Sequence, residues 1–225
     1  ITNFLIKLSH PRTVPKDGCL IVKGNLEFSP KFGEEMIQIT VKPNSCSRDD
    51  NWDDCSTDRS RVEFYDKVGV GAGRTVIYQY SLFIPKGVNL KQNSNPTVYL
   101  GQLNSTANNH YSSPIMVVWN DYSGIEFQTY NDFNWQVSNT TRINNILPVS
   151  GQKGKWIDIQ YEVTVDSGKR GRLLNSVNGK SVFQRLGHPT IKSGGKVSLK
   201  MGIYNYRVSV MNEPRSNQIV FFDKI

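Results

Sequence analysis

Short runs of β-branched and aromatic residues, separated by short polar gaps, constrain the fold of this chain more than any other feature. About ten such runs occur, and none shows a sustained apolar period of 3.6 residues, so helices should be few and short. The predicted strands are 37–41, 61–65, 75–84, 97–103, 115–119, 124–130, 156–165, 197–204 and 218–222, with a hairpin turning at Asn178-Gly179. This pattern predicts an all-β sandwich or jelly roll.

The chain should form one domain. Its 225 residues fit a single all-β unit, and it contains no repeat, low-complexity linker or break in composition. We therefore predict a single β-jelly-roll domain over residues 1–225. Its two curved antiparallel sheets would form a concave cleft, along which an extended polymer can lie.

The charge of the chain favours an anionic partner. It carries 27 Lys+Arg against 19 Asp+Glu, a formal net charge of +8. Such a surface attracts nucleic acid, anionic membranes or acidic glycans. The sequence contains no nucleic-acid-binding motif and no apolar run near the roughly 18 residues of a membrane span. We expect an acidic polysaccharide as partner, with no nucleic acid and no membrane, and a monomer.

Three cysteines bear on the compartment of the protein. Cys46 and Cys55 bracket a short polar loop, so a disulfide between them is favoured over two free thiols. It would imply an oxidising compartment, and we expect a secreted, extracellular protein. Cys19 is expected to be a buried small apolar residue.

The loop at residues 49–54 is rich in carboxylate and amide oxygens. A structural calcium ion is one interpretation, but the loop lacks the EF-hand spacing and its closing Glu. A solvated acidic loop is favoured, and no metal site or cofactor is predicted.

The strand over residues 197–206 has two distinct faces, because alternate side chains of a strand point in opposite directions. Its apolar face carries Leu199, Met201 and Ile203. Its polar face carries Ser198, Lys200, Gly202, Tyr204 and Tyr206. This polar face suits a wall of a carbohydrate cleft. An ordinary amphipathic strand with one solvated face would have the same sequence pattern.

Two further strands carry candidate binding groups. Gln102 and Asn104 share one face and offer amide donors for a carboxylate. On an earlier strand, Arg59, Arg61 and Glu63 face away from the core. An Arg beside a Glu is either a surface ion pair or a guanidinium held ready to grip a substrate carboxylate.

These stretches, in this order, resemble the jelly-roll polysaccharide lyases, a group that includes heparin lyase I, fungal glucuronan lyase and, more distantly, jelly-roll alginate lyases. The matching motifs are Arg61-Val-Glu63, Gln102-Leu-Asn104, Lys155-Trp156, Asn178-Gly179-Lys180 and Lys200-Met-Gly202-Ile-Tyr204. Each motif alone is weak, and five in the right order are more specific.

The resemblance implies roles for the matching residues. Tyr204 corresponds to the tyrosine that acts on the C5 proton and on the leaving oxygen. Lys200, Gln102 and Arg61 correspond to residues that contact the uronate carboxylate or the subsites. Asn104 stands where the family usually has His, which puts a His general base in doubt.

Elementary chemistry supports the same assignment. Removing a proton α to a carboxylate requires donors that neutralise the carboxylate, and Gln102, Asn104 and Arg61 are suitable. A Tyr base requires nearby positive charge, because a phenol titrates near pH 10. Lys200 and Arg61 are candidates for that charge.

The Asn at position 104 also bears on the sugar. A single Tyr can take the proton and return it to the leaving oxygen when both lie on one side of the ring, as in glucuronate and mannuronate. Guluronate and iduronate would require a second base, commonly His. We therefore expect a glucuronate- or mannuronate-type bond. His110, in a predicted polar loop over residues 104–113, is either a substitute base or an exposed loop residue.

Arg59, Glu63, Tyr206, Tyr130 and His110 complete the predicted substrate-binding set. A non-catalytic module or lectin that binds acidic carbohydrate on the same fold is the alternative function. A jelly-roll glycoside hydrolase ranks low, because the sequence lacks a strand with the paired carboxylates that such an enzyme needs.

Overall fold

A computed structural model of the chain describes residues 18–24, 35–42, 46, 53–66, 68–90, 97–107, 110–120, 124–130, 140–147, 151–206 and 216–223. These residues form fourteen strands. The described part of the chain contains no helix that is long and apolar enough to cross a membrane. The strands are β1 (Gly18–Gly24), β2 (Glu35–Val41), β3 (Arg59–Tyr65), β4 (Val70–Gly71), β5 (Thr75–Phe83), β6 (Thr97–Ala107), β7 (His110–Asn120), β8 (Gly124–Tyr130), β9 (Thr140–Leu147), β10 (Trp156–Thr164), β11 (Arg172–Val177), β12 (Lys180–Leu186), β13 (Lys196–Tyr206) and β14 (Gln218–Asp223).

The strands form two antiparallel sheets. The first sheet has the order β1-β2-β14-β5-β10-β11-β12, and the second has the order β3-β13-β6-β7-β8-β9 with β4 paired to β13. Strands that are distant in sequence pair within each sheet, as in β14 with β2 and β13 with β3. The all-β jelly roll expected from the sequence is confirmed.

One apolar core joins the two sheets. Along β10 buried and half-buried side chains alternate throughout, as expected of a strand with one face on the core. Ile159 and Tyr161 of the first sheet belong to the same buried cluster as Leu103, Phe127 and Ile203 of the second. Burying these side chains between the sheets is the main favourable term in folding.

The hairpin predicted at Asn178-Gly179 is confirmed. Both residues have positive φ, 50° and 76°, as a type I′ turn requires, and they connect β11 to β12. The Asn178 side chain also accepts a hydrogen bond from the backbone N–H of Asp158 at 2.9 Å. The turn is therefore fixed both by its own sequence and by the neighbouring strand.

The prediction of a polar loop over residues 104–113 is wrong. Strand β6 continues to Ala107 and β7 begins at His110, which pairs with Ala107. Residues 104–107 and 110–113 belong to strands, and the polarity of the sequence alone predicted a loop. His110 therefore belongs to a hairpin rather than to a long loop. Its side chain, like that of Tyr130 at the end of β8, lies outside the part of the chain that the structure describes.

Candidate active site

Three neighbouring strands of the second sheet bring the candidate residues together. Tyr204 on β13 lies opposite Arg61 on β3 and opposite Tyr99 on β6. Lys200, four residues earlier on β13, lies opposite Gln102. Residues directly opposite each other in an antiparallel pair project to the same face. These five side chains therefore share one face of the sheet.

That face is the outer one. Leu199, Met201 and Ile203 belong to the buried core, so Lys200 and Tyr204, which alternate with them, point away from it. Both are half-buried. The two faces of this strand that were predicted from the sequence are those that the structure shows.

Gly202 allows β13 to approach β3 closely. It lies opposite Glu63, and a Cβ atom placed on it would overlap the carbonyl oxygen of Val62 and lie 2.7 Å from the Cα of Glu63. Any larger residue would push the two strands apart. The glycine therefore sets the spacing between the strands that carry Tyr204 and Arg61.

We expect Gly202→Ala to lower the free energy of unfolding by about 1–3 kcal/mol, because the added methyl group has no space between the strands. Urea unfolding measures this loss. Gly71→Ala on β4 is the matched control, because a Cβ there would meet nothing within 4 Å. Equal stability losses in the two variants would contradict the close approach.

A buried carboxylate holds Arg61 in place. The Nε of Arg61 donates to Oδ2 of Asp54 at 2.7 Å, and its Nη2 donates to Oδ1 at 2.5 Å. The Asp54 side chain is 1% exposed. Burial lowers the pKa of Arg61, but the hydrogen bond to Asp54 and the charges of Glu63 and Asp54 raise it above its ordinary value overall. Arg61 is therefore a fixed cation.

The bond to Asp54 changes the role that the sequence suggested for Arg61. Two of its donor groups, Nε and Nη2, are already used by Asp54, so it is not arranged to grip a substrate carboxylate with that fork. Its guanidinium carbon lies 4.8 Å from the centroid of the Tyr204 ring. A cation at this distance from an aromatic ring interacts favourably with it.

The ring of Tyr204 is held from both neighbouring strands. Arg61 contacts it from β3, and Tyr99 stacks on it from β6 with ring centroids 5.3 Å apart. Tyr99 was not among the residues singled out from the sequence. Its ring and the guanidinium together restrict the orientation of the Tyr204 phenol.

The environment of Tyr204 favours the neutral phenol. Burial raises its pKa to about 12, while the positive charges of Arg59 and Arg61 act in the opposite direction. The sequence had suggested Lys200 and Arg61 as the cations beside this phenol. Of the two, the structure places Arg61 in that position, and Arg59 joins it.

Glu63 connects the amide and cationic groups of the site. Its Oε1 accepts a hydrogen bond from Nε2 of Gln102 at 2.8 Å, and its Oε2 lies 4.0 Å from Nη1 of Arg61. Burial lowers the pKa of Lys200, and the charge of Glu63 partly opposes this shift. Glu63 thus orients Gln102 and balances the charge of two cations.

Asn104 provides a hydrogen-bond donor without a partner. It lies opposite Ser198 on β13 and is 2% exposed, and its Nδ2 has no hydrogen-bond partner among the described residues. An unsatisfied buried amide costs about 1–3 kcal/mol. A ligand acceptor that reached this nitrogen would recover that cost.

A second pair extends the site along the same strands. Tyr206 lies opposite Arg59 on β3, and the guanidinium carbon of Arg59 is 5.6 Å from the centroid of its ring. Both belong to the predicted substrate-binding set. The backbones of Tyr130 and His110 lie in β8 and β7, beyond β6 in the same sheet.

The predicted disulfide between Cys46 and Cys55 is present. Of the acidic loop considered for calcium, residues 49–52 lie outside the described residues. Asp54, at the end of that loop, bonds Arg61 instead. Among the residues that the structure describes, no group of His, Cys, Asp and Glu side chains is arranged to hold a metal ion.

Comparison with known proteins identifies the family. A family model described as Polysaccharide lyase matches residues 26–225. No curated protein sequence is significantly similar to the chain.

Solved structures share its fold at low identity, including the following three. An endo-β-1,4-glucuronan lyase from the fungus Trichoderma reesei has a TM-score of 0.65 and 13% identity, covering 97% of this chain and 90% of the other. A variant of the alginate lyase Aly36B, solved with an alginate trisaccharide, has a TM-score of 0.58 and 12% identity over 84% and 79% of the two chains. The carbohydrate recognition domain of Emp46p, in its metal-free form, has a TM-score of 0.51 and 9% identity over 99% and 95%.

Proposed function

Because the chain belongs to the polysaccharide lyase family, we propose that it cleaves a uronate-containing acidic polysaccharide by β-elimination, with Tyr204 as the acid and base. One observation carries this proposal. The half-buried phenol of Tyr204 lies on the outer face of the second sheet, oriented by Arg61 and Tyr99. Asn104, whose buried Nδ2 has no partner among the described residues, lies on the adjacent strand β6 and supplements this observation.

The proposed reaction needs the uronate carboxylate to be neutralised. We propose Nδ2 of Asn104 as one donor, because it has no hydrogen-bond partner among the described residues; the buried amide would have to turn toward the substrate to reach it. The Gln102 amide and the Lys200 ammonium, which face each other across β6 and β13, would supply further stabilisation on the same face. Such fixed donors stabilise the enediolate that forms when the C5 proton leaves.

Tyr204 then moves one proton between two atoms of the sugar. Its phenolate takes the proton from C5, the C5–H electron pair forms the C4=C5 double bond, and the C4–O bond breaks. The leaving oxygen takes the proton back from the Tyr204 hydroxyl. The sequence of steps is balanced without an oxidant or a reductant, and the proposal assigns every step to a side chain, with no cofactor.

The rate is expected to rise with pH. At neutral pH the phenol of Tyr204, with its pKa raised to about 12, is almost entirely protonated. At pH values below that pKa, the phenolate fraction increases about tenfold for each unit by which the pH rises. Initial rates across neutral and moderately alkaline pH should show kcat/KM rising with pH, with circular dichroism confirming the fold at each point. A flat profile would argue against a phenolate base.

The choice of sugar is part of the proposal. Asn104 cannot act as a general base, and one tyrosine serves both proton transfers only when the C5 proton and the leaving oxygen lie on one side of the ring. We therefore propose a glucuronan-like or mannuronate-like substrate.

A panel of glucuronan, polymannuronate, polyguluronate, heparin and hyaluronan tests the proposal. The ultraviolet absorbance of the unsaturated uronate product reports cleavage. A rise with glucuronan or polymannuronate is expected, and cleavage confined to guluronate or iduronate linkages would overturn the assignment of the sugar.

A non-catalytic module that binds acidic carbohydrate is the second candidate. The Asn at position 104 favours it, because the family resemblance places a His base there, and the same fold also serves the carbohydrate recognition domain described above. Retention of the protein on one of these polymers, without any rise in absorbance, would support binding alone.

The same proposal places the protein outside the cell as a monomer. The disulfide between Cys46 and Cys55 supports an oxidising compartment. Size-exclusion chromatography with light scattering measures the oligomeric state.

A further inference from the structure

The carboxylate that holds Arg61 is next in sequence to a disulfide. Asp54 precedes Cys55, and Cys55 is bonded to Cys46. The Asp54 carboxylate accepts two hydrogen bonds from the Arg61 guanidinium, which lies against the ring of Tyr204. A continuous series of contacts therefore runs from the disulfide to the proposed acid and base.

The turn that carries Asp54 is ordered by its own hydrogen bonds. The backbone N–H of Arg59 donates to the Asp54 carbonyl at 2.9 Å. Asp53 accepts bonds from the N–H of Ser56 at 3.0 Å and from the hydroxyl of Thr57 at 2.7 Å. These bonds set the shape of the turn on the side of β3. Cys55 lies within this turn, and its disulfide to Cys46 ties the turn to an earlier part of the chain.

We propose that Asp54 is a positioning residue, and that the Cys46–Cys55 disulfide keeps it where it can hold Arg61 against the ring of Tyr204. This inference rests on the proposed function, because it concerns the residue that would transfer the proton. It adds that the site depends on the oxidation state of Cys46 and Cys55.

The physical reason is the flexibility of an arginine side chain. Ordering such a long side chain costs rotamer entropy, which a bidentate carboxylate offsets. Without Asp54, the guanidinium can turn to Glu63, whose Oε2 is already 4.0 Å from Nη1. The cation would then leave the ring of Tyr204.

The direction of the change separates positioning from a simple charge effect. The negative charge of Asp54 raises the pKa of Tyr204, and the positive charge of Arg61 lowers it. If Asp54 acted by its charge alone, its removal would favour the phenolate and increase kcat/KM. If it acts by positioning, Arg61 moves away, the phenolate becomes rarer and kcat/KM falls.

The experiment compares Asp54→Ala, the double variant Cys46→Ser/Cys55→Ser, and their combination. We expect each of the first two to lower kcat/KM about tenfold, the effect of one pKa unit on Tyr204. The combination should lose little more, because both changes release the same guanidinium. Losses that multiply in the combination, or a gain in kcat/KM, would overturn the proposal.

Asp166→Asn is the matched control. Asp166 is also a buried carboxylate that bonds an arginine, with its Oδ2 2.9 Å from Nη2 of Arg170, and it follows β10 of the first sheet. Its replacement should disturb local stability without changing kcat/KM. A tenfold loss in this control as well would show that general destabilisation, and not the position of Arg61, sets the rate.

A second measurement does not depend on activity. The Nε–H signal of Arg61 in a ¹⁵N-arginine NMR spectrum, assigned with Arg61→Lys, reports its bond to Asp54. Reduction of the disulfide is expected to expose this signal to solvent exchange, and an unchanged signal would overturn the proposal. If the wild-type protein cleaves no polymer of the panel, the proposed function fails while this spectrum still decides the positioning role.

Discussion

Tyr204→Phe is expected to lower kcat on the cleaved polymer by about 10²–10⁴-fold, the usual range for loss of a general acid and base. The ring contacts with Arg61 and Tyr99 do not involve the hydroxyl, so the substitution should preserve the local packing. The free energy of unfolding should therefore change little, which urea unfolding can check. KM should also change little, because the lost group acts mainly in the transition state.

Tyr99→Phe serves as the comparison for this variant. It keeps the stack on Tyr204 and removes a hydroxyl from the same face of the sheet. We expect its loss of turnover to be at least tenfold smaller than the loss of about 10²–10⁴-fold expected for Tyr204→Phe. If the two variants lost the same activity, or if Tyr204→Phe kept most of its turnover, the proton would have to move through another group.

Alternation along strands made much of the site predictable from the sequence. A period of two assigns each side chain to a face, and this placed Lys200 and Tyr204 on the outer face of β13 and Gln102 and Asn104 on that of β6. The family resemblance supplied the order of the motifs. Together they identified β3, β6 and β13 as the strands that carry the candidate residues, although not that these strands pair with one another.

The contacts between strands were not predictable in the same way. Tyr99 meets Tyr204 because the pairing of β6 with β13 shifts between Met201 and Tyr204, and such an irregularity leaves no clear signal in sequence. Asp54 was interpreted as part of a solvated acidic loop, but it reaches Arg61 seven residues later across a turn. Where a side chain has two plausible environments, only the tertiary fold decides which one it occupies.

Strands β1 and β9 were also missed. β9 contains Thr140, Thr141, Asn144 and Asn145, which are common in loops, and β1 has an apolar run, residues 19–22, without alternation. Both strands stand at the ends of their sheets. Pairing with a single neighbour leaves a weaker requirement for alternating apolar residues, so their sequences carried less information.

Arg61→Leu should produce the largest loss of stability at this site. It leaves the Asp54 carboxylate, 1% exposed, without the guanidinium that makes two hydrogen bonds to it. Removing one partner of a buried ion pair typically costs about 3–5 kcal/mol. That is a large part of the 5–15 kcal/mol by which a domain is usually stable. Urea unfolding measures the loss.

A double variant separates the stability of this pair from its effect on Tyr204. In Arg61→Leu/Asp54→Asn the buried group is neutral, so most of the lost stability should return. Turnover should not return, because the phenol of Tyr204 still lacks the cation that favours its ionised form. Recovery of turnover together with stability would show that Arg61 only supports the fold. Recovery of stability alone would show that the charge beside Tyr204 is itself required for the reaction.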